Sequence, residues 1–272
     1  MRSYSAAGLP MYDWPEIRSA TDHFWGAIRV ALLKHGIDAP DVIDHSKNRE
    51  SLWQNPDMLL AQTCGLPYVR TLKDKVRLVG TPSYSIDCAP GHYYSAIVVR
   101  TDDPIASLAD FSGTIAVNEL TSQSGYGALM HTLSGIHGTT APALSVKLTG
   151  SHRHSIRMVA SGEAGLAAID AISFELAKHY MPEAAKLRVL TVTAPTPGLP
   201  LITALPEIDV ERLRESVAEA IDLVDAPSRA ALLITGIVPI SDDAYAAIGS
   251  RWNEAQAFIR AAGLPGGETP GA

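Results

Sequence analysis

Hydroxyl side chains and glycines are concentrated in residues 118–127, NELTSQSGYG, between an apolar run and a helical pattern. The run TIAV is typical of a buried strand, and the helical pattern begins near Gln123. The first turn of a helix exposes N–H groups without acceptors inside the helix, and the helix dipole adds roughly half a positive charge there. Such a helix start binds anions. We call residues 122–125 the hydroxyl loop and predict that they hold an oxyanion through Ser122, Gln123, Ser124 and Gly125.

An ordinary serine N-cap is the simpler interpretation of the same loop. Two further strand ends favour a site. His152 opens a helix after the apolar strand SVKLT, and Asp170 ends the strand GLAAI before another helix. The alternation of strands and helices predicts a parallel, doubly wound sheet, in which ligands bind at the carboxyl ends of the strands. We therefore expect the hydroxyl loop, His152 and Asp170 to share one edge, although a capping or surface role is the alternative for His152.

Asp170 is predicted to discriminate among anions. A buried carboxylate without a partner is costly, and beside an anion site it would repel the ligand. The repulsion disappears when the ligand carries a proton on oxygen or an ammonium group. Protonated phosphate or an aminophosphonate would then be retained and fully ionised sulfate rejected. Asp170 can also be the N-cap of the following helix, and the two roles are compatible.

Metal and enzyme sites find weaker support. His152 and His154 are two residues apart and face different sides of a helix, so we predict no metal site. Cys64 near a strand end, or Ser124 before a glycine, could act as a nucleophile. The sequence lacks a GxSxG elbow and a paired-carboxylate signature, so we expect a protein that is not an enzyme and needs no cofactor. A cytoplasmic ligand sensor or an enzyme that uses Cys64 or Ser124 is the alternative.

Composition limits the classes of function. The chain has 272 residues, 46% of them hydrophobic, which is enough for a substantial core. Its net charge of -7 argues against nucleic acid, because phosphate backbones are bound by clusters of Lys and Arg. No apolar run approaches the roughly 18 residues of a membrane helix, so we expect no membrane-embedded segment. Cys64 and Cys88 lack the spacing of a zinc site, and either a disulfide or two free thiols is possible.

The N-terminal stretch MRSYSAAGLPMYDWPE has no continuous apolar segment, so it does not predict a secretory signal. A short strand over residues 3–8 and a long helical pattern over residues 14–35 flank Tyr12. Tyr12 then lies in a loop where its ring faces a cleft or packs over the helix start. The run YYSAIVVR over residues 93–100 is the candidate for a strand that crosses between lobes. Helical patterns near residues 210–224, 228–233 and 242–262 are expected to pack on the first lobe.

Several blocks of sequence resemble the phosphate, phosphite and phosphonate substrate-binding proteins of ABC transporters, the PhnD-like family. The blocks are LLAQTCGLPYV, TPSYS with YYSAIVV, VNELTSQSGYGAL, TGSHRHSIRMVASGEAGLAAIDAISFEL and TAPTPGLPLIT. They cover about two-thirds of the chain in the family's order. The resemblance implies the type 2 periplasmic-binding-protein fold, an α/β architecture of two doubly wound lobes joined by two crossing strands. We place residues 1–97 and 200–272 in the first lobe and residues 98–199 in the second.

The resemblance also implies roles for particular residues. The family's anion-binding helix start falls on the hydroxyl loop, its acidic ligand contact on Asp170, and its GSH segment on His152. Its aromatic cleft residues match Tyr12, Tyr84 and Tyr93 or Tyr94. The implied function is capture of a small phosphorus oxyanion between the lobes, with an ABC permease as partner. Family members are periplasmic, whereas the N-terminal stretch indicates a cytoplasmic protein if the sequence is complete.

Overall fold

The computed structural model describes residues 6–46 and 48–267. Residues 3–5 of the predicted first strand and residues 1–5 of the stretch assessed for a signal lie outside the described residues, as do residues 268–272 of the predicted first lobe. The described chain forms two compact units. The first contains residues 6–92, except 47, and 197–245, and the second contains residues 93–196 and 246–267.

Twelve strands and nine helices are present in the described residues. The strands are β1 (Ala6–Gly8), β2 (Met58–Gln62), β3 (Arg77–Tyr84), β4 (His92–Tyr93), β5 (Ser95–Arg100), β6 (Gly113–Val117), β7 (Leu144–Leu148), β8 (Leu166–Asp170), β9 (Leu187–Val192), β10 (Thr196–Pro197), β11 (Leu201–Thr203) and β12 (Ile234–Val238). The helices are α1 (Arg18–Lys34), α2 (Arg49–Trp53), α3 (Gly65–Pro67), α4 (Ala128–His137), α5 (His152–Ser161), α6 (Ala171–Tyr180), α7 (Val210–Leu223), α8 (Ala226–Ala231) and α9 (Asp242–Ala261). Short 3-10 or π turns lie at Pro15–Ile17, Tyr68–Leu72, Leu108–Asp110, Gln123–Gly127 and Pro182–Lys186.

The first unit contains a five-stranded sheet in the order β1-β2-β11-β3-β12. β1 and β2 are parallel, and β11 is antiparallel to both β2 and β3. β1, β2 and β3 therefore run in one direction, and their carboxyl ends lie at one edge of this sheet. Helices α1 and α7 pack on it through apolar residues spaced about one helical turn apart. The core contacts include Phe24, Ile28, Leu32, Leu213, Val217 and Ile221.

The second unit contains a five-stranded sheet in the order β7-β6-β8-β5-β9. β6 is parallel to β7 and β8, as the alternation of strands and helices predicted. β5, which lies outside that predicted alternation, is antiparallel to both β8 and β9. The carboxyl ends of β6, β7 and β8 share one edge with the amino end of β5. The chain segments that open α4, α5 and α6 leave from this edge.

Residues 246–267 belong to the second unit, whereas we expected them in the first lobe. Aromatic contacts explain the difference, because Trp252 packs against Tyr126 at 6.0 Å and Phe258 stacks on His137 at 6.2 Å between ring centroids. The unit boundaries also lie at residues 92 and 196 rather than at the expected residues 97 and 199. Nevertheless, α7 packs on the first unit, in line with expectation.

β3 extends through the TPSY segment and ends at Tyr84. A helical stretch begins at Gly65, within the segment TCGLPY. The strand β12 was not predicted. In the part of the chain that the structure describes, no helix combines the length and apolar character needed to cross a membrane.

Candidate functional site

The hydroxyl loop connects β6 to α4 through a capped π turn. The Ser122 hydroxyl accepts a hydrogen bond from the Gly125 N–H at 3.0 Å and thereby caps the turn. The turn continues directly into α4, so the loop stands at the N-terminus of a long helical segment. Ser122, Gln123 and Ser124 are all buried. Buried hydroxyls at a helix start are suited to bind an anion that approaches this end of the helix.

Gly125 is required by close packing rather than by its backbone dihedral angles. A Cβ at this position would lie 1.8 Å from Asn118 Oδ1 and 3.3 Å from His152 Cε1. Any side chain would therefore displace both neighbours. The Gly125 N–H is engaged by Ser122, so its contribution to the loop is space and not a free amide donor.

His152 opens α5 and lies against the hydroxyl loop. Its Nε2 is 2.9 Å from Ser124 Oγ, and desolvation by burial lowers the pKa of the imidazole to about 4. The ring is therefore neutral near pH 7. Its Nδ1 is buried and has no hydrogen-bond partner among the described residues. Because a buried N–H without an acceptor is rarer than an unused acceptor, we assign the proton to Nε2, which donates to Ser124 and leaves the serine proton available.

Asp170 ends β8 and is almost fully buried, at 2% exposure. Its Oδ1 accepts from the Ser173 N–H at 2.9 Å, so the predicted N-cap role is present. Asp170 pairs with Ser95 in the β5–β8 ladder. Ser95 in turn donates from its hydroxyl to the Ser124 carbonyl at 2.9 Å. This ladder pair connects the carboxylate to the hydroxyl loop within the second unit.

Tyr93 and Tyr94 precede β5 at the same edge of the second sheet. Tyr93 is buried and Tyr94 is half-buried. The Tyr94 carbonyl accepts from the Ala171 N–H at 3.0 Å, which fixes the backbone beside Asp170. The second unit therefore groups all the predicted residues that lie beyond residue 92.

Tyr12 and Tyr84 form an aromatic pair in the first unit. Their ring centroids are 5.3 Å apart and the rings are nearly perpendicular, at 79°. Gln62 Nε2 donates to the Tyr84 hydroxyl at 3.0 Å. Gln62 ends β2 and Tyr84 ends β3, so the pair lies at the carboxyl edge of the first sheet. The structure thus gathers the predicted residues into two sets, one in each unit.

A small cavity adjoins the aromatic pair in the first unit, with a volume of about 30 Å³, which is room for one water-sized group. Thr21 and Gln62 provide polar atoms in its wall. The remaining wall is largely apolar, formed by Leu9, Phe24, Pro82, Leu201, Leu232 and Ile234.

The sequence-based list of site residues did not include Ser95, Gln62 or Asn118. Ser95 stood in a run interpreted as a crossing strand, and its partners depend on a register that the sequence does not reveal. Gln62 ended a strand whose neighbours were unknown. Asn118 begins the segment 118–127 but is not among the predicted site residues, although its side chain donates to Ser122 at 3.0 Å.

The predicted site residues of the second unit provide hydrogen-bond donors and a single carboxylate. Within residues 6–46 and 48–267, no group of three or more His, Cys, Asp or Glu side chains could hold a metal ion. Cys64 and Cys88 do not form a disulfide with each other.

Comparison with solved structures places the fold among known binding proteins. A binding protein component of an ABC phosphonate transporter from Pseudomonas aeruginosa is 15% identical, with a TM-score of 0.70 and coverage of 96% of this chain and 89% of that chain. PhnD1 from Prochlorococcus marinus, solved with methylphosphonate, is 15% identical, with a TM-score of 0.65 and coverage of 92% and 98%. The aliphatic sulphonate binding protein SsuA from Escherichia coli is 16% identical, with a TM-score of 0.57 and coverage of 98% and 90%. These likenesses establish the type 2 periplasmic-binding-protein fold.

No match is found among curated proteins. A family model described as ABC transporter, phosphonate, periplasmic substrate-binding protein matches residues 55–245, well over half of the chain. The matched region includes the hydroxyl loop, His152 and Asp170. The chain therefore belongs to the family of periplasmic substrate-binding proteins of phosphonate ABC transporters.

Proposed function

We propose that this protein captures a small phosphorus oxyanion, namely phosphate, phosphite or an alkylphosphonate, for an ABC-type uptake system. The observation that carries the proposal is the hydroxyl loop, where buried Ser122 and Ser124 stand at a helix start beside a neutral His152. The ligand's negative charge is balanced by the helix dipole and by fixed donors, without a lysine or arginine.

The serine hydroxyls and the first-turn amides are assigned to the ligand oxygens. His152 supports Ser124 by donating to its oxygen, which leaves the Ser124 proton for the ligand. Gly125 allows the ligand and the neighbouring side chains to approach the turn closely. Gln123, buried in the same turn, completes the wall of the subsite.

Asp170 is assigned the choice among anions. Its carboxylate is buried, and its Oδ1 accepts the helix-capping hydrogen bond from the Ser173 N–H. A ligand that carries a proton on oxygen, or an ammonium group, can donate to this carboxylate. Sulfate at neutral pH offers no such donor. Its oxygens would face the carboxylate oxygens, and a buried acceptor left without a donor costs about 1–3 kcal/mol.

Tyr12, Tyr84 and Tyr93 or Tyr94 are assigned to the aromatic walls of the ligand site. Gln62 fixes the Tyr84 hydroxyl and thereby the orientation of its ring.

The contact between Ser124 and His152 suggests an alternative, in which Ser124 is a nucleophile and His152 its base. The contact has the length of a nucleophile–base hydrogen bond, 2.9 Å. A histidine whose pKa is lowered to about 4 is a weak base at neutral pH, however. Moreover, its Nδ1 lacks the carboxylate that orients the base in a catalytic triad, among the residues described. Binding without turnover is therefore the function that this geometry favours.

A thermal melting screen tests the proposed ligand class. The panel contains phosphate, phosphite, methylphosphonate, aminoethylphosphonate, sulfate and acetate. A ligand at 100 times its dissociation constant adds about 2.7 kcal/mol to the free energy of unfolding, so the melting temperature should rise by several degrees. We expect a rise with at least one phosphorus anion and none with sulfate. No rise with any phosphorus anion would overturn the proposed ligand class.

Two additional measurements accompany the screen. Asp170→Asn should reduce the preference for protonated phosphorus anions over sulfate, and an unchanged profile would remove Asp170 from the ligand site.

Phosphorus NMR of the bound ligand should show no chemical conversion of the ligand. Conversion that is lost in Ser124→Ala or in Cys64→Ala would instead establish an enzyme.

A further inference from the structure

Asn118 lies directly after β6 and contacts the hydroxyl loop through its side chain. Its Nδ2 donates to Ser122 Oγ at 3.0 Å. The same oxygen accepts from the Gly125 N–H at 3.0 Å. The backbone of Asn118 is also fixed, because its carbonyl accepts from the Gly150 N–H at 3.0 Å and so joins the ends of β6 and β7.

These two hydrogen bonds determine what the Ser122 hydroxyl can still do. A serine hydroxyl has two acceptor positions and one proton. Asn118 and Gly125 occupy both acceptor positions. In the part of the chain that the structure describes, no group accepts the Ser122 proton. The only remaining hydrogen bond of this hydroxyl is therefore one that it donates.

The orientation of the Asn118 amide is fixed by Gly125. Among the described residues, the buried Asn118 Oδ1 has no hydrogen-bond partner, and it lies 1.8 Å from the position that a Cβ of residue 125 would take. It therefore faces a Cα hydrogen of the glycine, a contact that is weakly favourable for oxygen. The reversed amide would direct N–H groups at that hydrogen. Hence Nδ2, and not Oδ1, faces Ser122.

We propose that Asn118 is a positioning residue that makes Ser122 an obligatory donor and so restricts this part of the ligand site to an unprotonated oxygen. The inference rests on the proposed function, because it assigns the Ser122 proton to the oxyanion. Two residues after different strands then select the ligand. Ser122 binds a ligand oxygen that accepts a hydrogen bond, whereas Asp170 binds a ligand group that donates one.

A double-mutant cycle tests this coupling. The affinities of wild type, Asn118→Leu, Ser122→Ala and the double variant are measured by isothermal titration with methylphosphonate and with inorganic phosphate. Ser122→Ala should weaken binding about tenfold, as expected for one hydrogen bond to a charged group. Asn118→Leu should weaken it by about threefold to tenfold, since the freed hydroxyl loses its fixed direction. In the Ser122→Ala background, Asn118→Leu should have no further effect on affinity.

Equal losses in both backgrounds would show that Asn118 does not act through Ser122 and would overturn the inference. If wild type binds neither probe and no phosphorus anion raises its melting temperature, the proposed function itself fails, and the inference fails with it. Melting temperatures of the ligand-free variants report any purely structural role of Asn118. Such a role would lower the melting temperature, but the effect of Asn118→Leu on affinity would not depend on Ser122.

Asn118→Asp provides a second route if the leucine variant does not fold. A carboxylate cannot donate to Ser122, so the serine proton turns toward it and away from the ligand. The affinity should fall more than in Ser122→Ala. The loss that Asn118→Asp causes in the Ser122→Ala background measures the added charge alone, and it should be smaller than the loss in wild type. Equal losses would count against the proposal.

Discussion

The two units place their predicted site residues at the same kind of position but with different chemistry. In each sheet, strands that run in one direction end at one edge, and the predicted residues lie at or beside that edge. The second unit presents serines, a neutral histidine and one carboxylate. The first presents the aromatic pair and Gln62. The same architecture can therefore carry a polar, donor-rich surface or an aromatic one, depending on the residues after each strand.

The two surfaces also differ in how they are held in place. Hydrogen bonds from neighbouring strand ends fix the hydroxyl loop, since Ser95 binds the Ser124 carbonyl and Asn118 binds Ser122. In the aromatic pair, the two rings contact each other edge to face, and Gln62 donates a hydrogen bond to the Tyr84 hydroxyl. We expect single substitutions to reduce ligand affinity more strongly in the second unit than in the first.

The largest effect is expected from Gly125→Ala. The new Cβ would overlap Asn118 Oδ1, so Asn118 must leave Ser122 or the turn must move. Overpacking of this kind costs about 1–3 kcal/mol of stability. Because the loop donors move with it, we expect the affinity for a phosphorus anion to fall by about a hundredfold, equivalent to about 2.7 kcal/mol. Isothermal titration and thermal melting measure the two losses separately.

Gly135→Ala is the matched control for that substitution. Gly135 lies in α4, the helix that follows the hydroxyl loop, and a Cβ there meets no atom within 4 Å. Alanine has the higher helix propensity, so stability should rise by up to about 1 kcal/mol with unchanged affinity. Equal affinities for Gly125→Ala and wild type would contradict the assignment of the loop to the ligand site.

Ser124→Ala removes a hydroxyl in the second unit, and Tyr84→Phe removes one in the first. The affinities of these two variants should differ by less than those of Gly125→Ala and its control. Ser124→Ala removes a donor to the charged ligand and should weaken binding by about tenfold to a hundredfold, corresponding to about 1.5–3 kcal/mol. Tyr84→Phe keeps the ring contact with Tyr12 and removes the acceptor for Gln62. Its affinity should change by less than about threefold. A larger loss of affinity in Tyr84→Phe than in Ser124→Ala, measured by isothermal titration, would contradict the expected difference between the two units.

Much of the second unit follows from local sequence patterns. The apolar runs and helical periodicities identify β6, β7, β8 and their helices, because each element carries its own spacing of buried residues. The helix starts are equally local, since Ser122, Ser151 and Asp170 cap the helices that follow them.

What the sequence could not provide are the pairings between distant segments. The antiparallel direction of β5 and its register with β8 bring Ser95 beside Asp170, and both depend on the whole sheet. The placement of residues 246–267 in the second unit depends on Trp252 and Phe258, whose partners lie more than a hundred residues earlier in the chain. Periodicity predicted α9 as a helix but not the surface that it covers.

The smallest expected effect concerns two histidines with opposite pKa shifts, one in each unit. In the second unit, burial lowers the pKa of His152 to about 4. In the first unit, burial alone would lower the pKa of His45, but hydrogen bonds to Asp22 at 2.7 Å and Asp13 at 2.9 Å outweigh it and raise the pKa. Arg18 also pairs with Asp13, so His45 belongs to a small charged cluster. In the unfolded chain both histidines titrate near about 6.5.

The two shifts must act on stability in opposite pH ranges. The folded protein favours neutral His152, so this contribution is complete above about pH 6.5 and is lost as the pH falls toward the folded pKa. The folded protein favours charged His45, so that contribution is complete below about pH 6.5 and is lost as the pH rises through the raised pKa. Melting temperatures of the ligand-free protein between about pH 4.5 and pH 8.5 should show the difference. His152→Gln should flatten the decline on the acid side, and His45→Gln should flatten the decline on the alkaline side. If both variants change the same side of the profile, the two units do not hold their histidines in opposite charge states.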